Sequence, residues 1–200
     1  MKKLGILTGG GDAPGLNAVI RAVVQTARND YDCDVLGIRH GFDGFIEKDG
    51  VIPLDRRAVR GILPLGGTIL GAANRGNPFA RKVEVGGDIE IVDVSDQVVD
   101  RFNELNLDGL IVVGGDGTLK IANELYEKGV PTIGVPKTID NDVNGTEVTF
   151  GFDTALNIAT EAIDRLHTTA ESHHRVMILE LMGRDAGFIS LHAGVAGGAD

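Results

Sequence analysis

Residues 109–118, GLIVVGGDGT, decide the fold class of this chain. The first five residues are a continuous apolar run without alternation, which is typical of a strand that is buried on both faces of a sheet. A Gly-rich turn follows this run, and apolar residues then recur at helical spacing at Leu119, Ile121, Ala122 and Leu125. A strand, a Gly-rich turn and a helix in this order predict one unit of a parallel sheet that is covered by helices.

The same order of elements recurs along the chain. Residues 4–8 form a short apolar run that ends at three consecutive glycines, and an apolar stretch without a helix breaker follows over 16–27. The same criteria predict further strands over 34–38, 132–135 and 175–181 and further helices over 153–169 and 186–196. The stretch from 39 to 108 gives no clear pattern. The alternation predicts an α/β fold with a doubly wound, mostly parallel, Rossmann-like sheet.

The composition excludes several classes of function. The chain has 200 residues, and 19 Lys and Arg against 29 Asp and Glu give a net charge of −10. A chain this acidic lacks the basic footprint that nucleic-acid binding requires, so we expect no nucleic-acid partner. Cys33 is the only cysteine, and no apolar run approaches the roughly 18 residues of a membrane span. We therefore expect a cytoplasmic protein with no membrane partner.

Gly-rich and polar segments follow the predicted strands, at the edge where open α/β sheets bind ligands. The first segment, Gly9 to Gly11, brings backbone N–H groups and the start of a helix together, which favours an anion. This segment is neither a Walker A loop nor a GxGxxG fingerprint. A tight turn that binds nothing explains it equally well.

The second segment, Gly114 to Thr118, carries a candidate metal ligand. Its glycines would let a phosphate chain approach the backbone, and Asp116 is a hard oxygen ligand placed where Mg²⁺ could bridge phosphate oxygens. Thr118 is expected to cap the following helix. The alternative is that Asp116 is itself the N-cap residue of that helix.

The third segment, PKTIDND at residues 136–142, is the densest polar cluster after a predicted strand. In an extended segment Asp140 and Asp142 would point to the same side. One carboxylate could then accept a proton from a hydroxyl while the other orients it or helps to hold a metal. Lys137 adds a cation for a phosphoryl group. The alternative is an Asx-rich turn, because an Asn-Gly pair follows closely.

Four motifs together resemble the 6-phosphofructokinase family. They are GGDAPG (10–15), GGDGT (114–118), PKTIDND (136–142) and MGR (182–184), and the resemblance runs from Met1 to Asp200. GGDGT alone is shared with NAD kinases and lipid kinases, whereas TIDND followed by MGR is specific. The resemblance implies transfer of a phosphoryl group from ATP or pyrophosphate to O1 of fructose 6-phosphate, which gives fructose 1,6-bisphosphate in glycolysis.

The resemblance also implies roles for individual residues. Asp140 would be the base for the sugar O1 hydroxyl, Asp116 would hold Mg²⁺, and the catalytic set would also include Lys137 and Gly117. The donor would bind at Gly10, Arg75, Gly76, Gly115, Asp116, Gly117 and Thr118. The sugar phosphate would bind at Thr138, Ile139, Asp140, Asp142, Arg175, Met182, Gly183 and Arg184. Arg175 would reach the 6-phosphate bound by a neighbouring subunit, which implies a homo-oligomer, either a dimer or a tetramer.

Two positions bear on the choice of donor. Gly117 stands where pyrophosphate-dependent members of the family carry Asp, whose side chain intrudes on the place of an α-phosphate, so ATP fits here. Lys137 is found in the pyrophosphate enzymes and in a subset of the ATP enzymes. The sequence therefore favours ATP with Mg²⁺ and keeps pyrophosphate as an alternative.

Length sets a further expectation. Members of the family are much longer than this chain, and a Glu, an Arg and a His that complete the sugar-phosphate site would lie beyond Asp200. We therefore expect a donor-binding domain over 1–150, the first part of a sugar-phosphate domain over 151–200, and little activity from these 200 residues alone. An NAD-kinase-like enzyme and a non-catalytic nucleotide-binding subunit are the alternatives from other classes.

Overall fold

A computed structural model describes residues 2–73 and 76–200 of the chain. The chain forms two compact units, unit 1 (Met1–Pro136) and unit 2 (Lys137–Asp200). This division falls before the boundary that the sequence predicted near residue 150. The donor-binding and sugar-binding roles of the two parts stay predictions.

Unit 1 alternates strands and helices for most of its length. Its elements in chain order are β1 (Lys3–Thr8), α1 (Leu16–Asp30), β2 (Asp34–Ile38), β3 (Val51–Leu54), β4 (Arg81–Val85), β5 (Asp88–Val92), α2 (Ser95–Glu104), β6 (Gly109–Gly114), α3 (Asp116–Glu127) and β7 (Thr132–Thr138), whose last two residues belong to unit 2. Short 3₁₀ turns occupy Gly41–Phe45 and Pro78–Ala80.

The main sheet of unit 1 has the strand order β3-β2-β1-β6-β7. β1 pairs in parallel with β2 and with β6, and β6 pairs in parallel with β7. Among the described strands of this sheet, only β3 is antiparallel to its neighbour. The predicted α/β fold with a mostly parallel sheet is therefore confirmed, and the unpredicted β3 forms one edge.

The two central strands are buried on both faces, as the apolar run of residues 109–113 predicted. Ile6 and Val113 lie in a core that includes residues of α1, whereas their neighbours Leu7 and Val112 lie in a second core that includes residues of α2 and α3. All four side chains are fully buried. Because successive side chains of a strand point to opposite faces, helices must cover both sides of this sheet.

A separate hairpin lies in the stretch that gave no clear pattern. β4 and β5 pair antiparallel through a two-residue turn at Gly86 and Gly87, whose φ values are 64° and 96°. A tight hairpin turn of this kind needs positive φ at both central residues, which glycine adopts without steric cost.

Unit 2 contains one short strand and two helices. β8 (Phe150–Gly151) pairs in parallel with the last two residues of β7, and α4 (Phe152–His173) and α5 (Phe188–Gly197) follow. The predicted strand over 175–181 is wrong. Within residues 137–200 no strand pairs with this segment, and the side chains of Val176 and Ile178 are 92% and 90% exposed. A strand exists only through hydrogen bonds to a neighbour, which an apolar pattern cannot supply.

None of the helices in the part of the chain that the structure describes combines the length and the apolar character needed to cross a membrane.

Candidate active site

The turn after β1 is held tightly within unit 1. The Gly9 amide donates to the carbonyl of Val113 at 2.8 Å, and the Gly10 amide donates to the carbonyl of Ala73 at 3.2 Å. These two amides are therefore used within the fold and do not contribute to a bare backbone cradle, which was one of the two alternatives for this turn. An anion at this turn would depend on the groups that follow, toward the start of α1 at Leu16.

Thr118 explains why glycine follows two neighbouring strands. A Cβ at Gly9 would lie 2.4 Å from Cγ2 of Thr118, and a Cβ at Gly114 would lie 2.5 Å from Cβ of Thr118. Thr118 is buried against both turns, and the N-cap residue of α3 is Gly115. The prediction that Thr118 caps the helix is therefore wrong, and Gly9 and Gly114 make room for this side chain.

Gly117 lies in a different environment. Apart from its two chain neighbours and the backbone of its own helix, a Cβ at this position would meet no atom of residues 2–73 or 76–200 within 4 Å. The space beside Gly117 is thus open in the described part of the chain, whereas the space beside Gly114 is filled by a side chain. Of Gly114 and Gly117, it is Gly117 that keeps the room for a ligand that was expected at the glycines of this turn.

Asp116 is the first residue of α3, so the alternative that it is the N-cap residue is wrong. Its carboxylate is half exposed, and its Oδ2 lies 2.7 Å from Nζ of Lys120 one turn later. A carboxylate at a helix N-terminus is favoured by the helix dipole.

Asp116 fits one mode of magnesium binding, in which the protein supplies a single carboxylate. Among the described residues no group of three or more His, Cys, Asp or Glu side chains could hold a metal. Mg²⁺ is usually held by one or two carboxylates together with substrate phosphates and water, and this mode needs a single accessible carboxylate. The Lys120 ammonium already occupies a cation position on that carboxylate.

Asn17 fastens residues 65–69, and sequence reasoning missed it. Its side chain is 2% exposed, and Nδ2 donates to the carbonyls of Leu65 and Gly66 at 3.1 and 3.2 Å. Oδ1 accepts from the Ile69 amide at 2.8 Å. The only signal in the sequence was an amide residue within the apolar helix 16–27, where a polar side chain requires buried partners.

Two residues that were predicted to contact the donor, Arg75 and Gly76, follow this segment in the chain. Thr8 Oγ1 lies 3.0 Å from Thr68 Oγ1 and donates to the Gly71 carbonyl at 3.2 Å, which fixes the same segment to the end of β1. Gly76 is tightly placed, since a Cβ there would lie 3.0 Å from Oδ2 of Asp43. Arg75 lies outside the described residues.

We predict that Asn17→Leu destabilises the protein by about 2–4 kcal/mol, because three backbone groups lose their buried partner. Urea unfolding followed by circular dichroism gives this value. Asn123→Leu is the matched control, since Asn123 makes one exposed hydrogen bond on α3, and we expect it to change the free energy of unfolding by less than about 0.5 kcal/mol. Equal costs for the two variants would contradict the role assigned to Asn17.

In unit 2, Asp140 is bound to Thr138 at the end of β7. Thr138 Oγ1 donates to Oδ2 of Asp140 at 3.3 Å and accepts from the Asp140 amide at 3.1 Å. Asp140 is half-buried, whereas Asp142 is exposed. Lys137, the preceding residue of β7, is buried. A half-buried carboxylate keeps some access for a ligand, and the neighbouring hydroxyl limits the movement of this side chain.

The segment 140–142 is not extended, and this corrects the argument for paired carboxylates. Asn141 has a φ of 54°, in the left-handed region, so alternation of side chains does not place Asp140 and Asp142 on the same side. The Asn141 side chain accepts from the Thr149 amide at 2.9 Å and donates to the Glu147 carbonyl at 3.1 Å. These bonds span six and eight residues, so they do not form a local Asx turn at Asn141.

The other predicted sugar-phosphate residues lie in irregular segments of unit 2. The Arg175 amide donates to the Ala170 carbonyl at 2.9 Å at the end of α4, so Arg175 follows a helix and does not begin a strand. Met182 is 74% exposed, and Arg184 adopts a φ of 53° in the turn before α5. The strand that was expected to carry residues 182–184 to a sheet edge is absent from residues 137–200.

Comparison with known proteins gives one consistent result. Residues 3–200 match the phosphofructokinase family. The whole chain is 56% identical to ATP-dependent 6-phosphofructokinase 2 of Clostridium perfringens, and 99% of it is 54% identical to pyrophosphate–fructose 6-phosphate 1-phosphotransferase of Streptomyces coelicolor. Each match covers 55% of the relative, so the chain spans about half the length of these curated relatives.

A solved structure has the same fold. The structure of phosphofructokinase from Saccharomyces cerevisiae superposes with a TM-score of 0.83 at 32% identity, and the match covers 100% of this chain and 28% of the yeast chain.

Proposed function

Since the chain belongs to the phosphofructokinase family, we propose that the protein is a cytoplasmic, glycolytic 6-phosphofructokinase that transfers the γ-phosphoryl group of ATP to O1 of fructose 6-phosphate. The products are fructose 1,6-bisphosphate and ADP. The observation that carries the proposal is the half-buried Asp140, whose carboxylate is held by Thr138 at the end of a strand.

Asp140 acts as the general base in this proposal. Its carboxylate takes the proton of the O1 hydroxyl as the bond from O1 to phosphorus forms and the bond from phosphorus to the leaving oxygen of ADP breaks. Phosphoryl transfer requires positioning and charge neutralisation more than covalent chemistry by the protein. Lys137 supplies a cation beside the transferring group, and Thr138 orients the base through the contact at 3.3 Å.

Donor binding is assigned to residues of unit 1. Gly10, Gly76 and Gly115 to Thr118 form the proposed binding surface, to which Arg75 would contribute. A bound Mg²⁺ would neutralise phosphate charge, and Asp116 is the residue that would hold it. Lys120, which pairs with Asp116 at 2.7 Å, would have to release this carboxylate for Asp116 to hold the metal.

Two observations bear on the identity of the donor. The relatives at 56% and 54% identity include one named for ATP and one named for pyrophosphate, so identity alone does not separate the two. The open space beside Gly117 favours ATP, because an α-phosphate needs room that a larger side chain would fill. Pyrophosphate dependence is the second candidate, and Lys137 is the residue that favours it.

The proposal also covers the residues that bind the sugar phosphate and the assembly of the protein into an oligomer. Ile139, Asp142, Arg175 and residues 182–184 are proposed as acceptor contacts. Arg175 is exposed beyond the end of α4, as a residue that serves a neighbouring subunit must be. We therefore propose a homo-oligomer in which Arg175 contacts the 6-phosphate held by the adjacent copy.

A substrate screen tests the proposed function. The purified natural protein is given ATP or pyrophosphate with Mg²⁺ and either fructose 6-phosphate or NAD⁺ as acceptor. We expect turnover with fructose 6-phosphate and ATP. Turnover with NAD⁺ alone would replace the proposal with an NAD-kinase-like activity, and nucleotide binding without turnover of either acceptor would indicate a non-catalytic subunit.

We predict that Asp116→Asn weakens binding of Mg²⁺-ATP by about 10-fold or more, because the metal loses a charged ligand of the kind it prefers. Isothermal titration with Mg²⁺-ATP measures this change without turnover. Asp100→Asn on α2 is the control and should leave the affinity within about twofold, as expected for a surface position outside the donor site. Unchanged affinity in Asp116→Asn would remove Asp116 from the metal site.

A further inference from the structure

Residues 138–149 of unit 2 are closed by a polar clasp that consists of Thr149, Asn141 and the Thr138 carbonyl. Thr149 is 2% exposed, and its Oγ1 donates to the Thr138 carbonyl at 2.7 Å. Its amide donates to Oδ1 of Asn141 at 2.9 Å. The same hydroxyl lies 3.3 Å from Oδ1 of Asn141, but its single proton is committed to the shorter bond.

The clasp holds the main chain on both sides of Asp140. Thr138 lies two residues before Asp140 and exchanges two hydrogen bonds with it, to its amide and to its carboxylate. Asn141 follows directly and has a left-handed backbone, with a φ of 54°. A non-glycine residue keeps this conformation only where the surroundings determine it, and here the partners are the Thr149 amide and the Glu147 carbonyl.

We infer that Thr149 is a positioning residue for Asp140, which it reaches through the Thr138 carbonyl and the Asn141 side chain. The inference rests on the proposed function, in which Asp140 is the base. A small displacement of a base relative to its substrate is costly for rate, because the reacting atoms must lie within about 3–3.5 Å of each other.

Thr149→Val is the decisive variant. Valine has the shape of threonine but cannot donate to the Thr138 carbonyl. The hydrogen bond from the backbone amide of residue 149 to the Asn141 side chain is kept. We expect kcat with ATP and fructose 6-phosphate to fall by about 10–100-fold, with the KM for ATP within about twofold of the wild type. Thr149→Ser keeps the hydroxyl and should restore kcat to within about threefold of the wild type.

Thr146→Val is the matched control, since it makes the same substitution in the same segment. Thr146 Oγ1 donates to the Val148 carbonyl at 3.1 Å, an exposed bond that does not reach Thr138 or Asn141. We expect kcat within about twofold of the wild type. A Thr149→Val variant with wild-type kcat, or a Thr146→Val variant that is equally slow, would overturn the inference.

The rate of amide hydrogen exchange reports whether the clasp is intact, and its measurement does not require turnover. Exchange of the Asp140 amide, which donates to Thr138 Oγ1, should accelerate by about 10-fold or more in Thr149→Val and stay unchanged in Thr146→Val. If the wild type transfers no phosphoryl group, the proposed function fails and exchange alone decides the inference. Equal exchange in the two variants would overturn it.

A second variant covers the case in which Thr149→Val does not fold. Asn141→Gly removes the side chain of the clasp at a position whose positive φ glycine adopts without strain. We expect the same acceleration of exchange at Asp140. Wild-type exchange in Asn141→Gly would contradict the role of the clasp.

Discussion

Asp140→Asn is expected to lower kcat by about 10²–10⁴-fold while the KM for the donor changes little, because the carboxamide cannot take the proton of the O1 hydroxyl. The substitution keeps the size of the side chain, and an amide group can still accept the hydrogen bond from Thr138. The loss therefore falls on the chemical step. Steady-state kinetics with fructose 6-phosphate and each donor measure it.

Asp164→Asn is the matched control for this variant. Asp164 is an exposed residue on α4, and the same change there should leave kcat within about twofold of the wild type. Unaltered turnover in Asp140→Asn would remove Asp140 from the base role. The half-buried carboxylate at the end of β7 would then be a structural group only.

Gly117→Asp is expected to have the second large effect, a loss of kcat/KM for the donor ATP. A carboxylate in the space where the α-phosphate would lie meets a like charge, and such repulsion costs several kcal/mol in discrimination between ligands. We expect kcat/KM for ATP to fall by about 10²-fold or more, since each 1.36 kcal/mol is tenfold. Pyrophosphate has no α-phosphate or nucleoside, so its kcat/KM should fall less or rise.

The fold tolerates this substitution, which makes the kinetic result interpretable. Outside its own helix and its chain neighbours, a Cβ at Gly117 meets no described atom within 4 Å, and an acidic residue in the first turn of α3 is favoured by the helix dipole. Gly117→Ala adds the Cβ without the charge and should keep kcat/KM for ATP within about threefold. Full ATP activity in Gly117→Asp would mean that the donor does not lie at this turn.

A wild type that already prefers pyrophosphate would change the identity of the donor. Lys137 would then outweigh the open space at Gly117 in setting the donor, and the proposal of ATP would be wrong while the reaction class stands.

Sequence reasoning predicted the elements whose pattern is strong and local. The runs at 4–8 and 109–113 became β1 and β6 because strands buried on both faces need apolar residues at every position. The hairpin over 81–92 was missed although apolar and charged residues alternate over 82–85 and over 88–91, a pattern that indicates strands. The Gly-Gly pair between them was a second clue, to the turn.

Contacts between distant residues could not be predicted from the sequence. The pattern at 175–181 predicts a strand, but a strand also needs a neighbour, and the sequence does not say where one will be. Gly9 and Gly114 looked like two phosphate turns, whereas Thr118 fills the space beside both. Asp116 and Asp140 became site candidates because they follow predicted strands and lie in motifs that resemble the family, whereas their partners Lys120 and Thr138 came only from the structure.

The most direct test of the central proposal follows the phosphoryl group itself. The purified natural protein is incubated with Mg²⁺, fructose 6-phosphate and ATP labelled with ¹⁸O in the γ-phosphoryl group, and the products are identified by ³¹P NMR and mass spectrometry. We predict fructose 1,6-bisphosphate that carries the label in the phosphate on O1, together with unlabelled ADP. Label released as inorganic phosphate, or no transfer to the sugar with either ATP or pyrophosphate, would contradict the proposed phosphofructokinase activity.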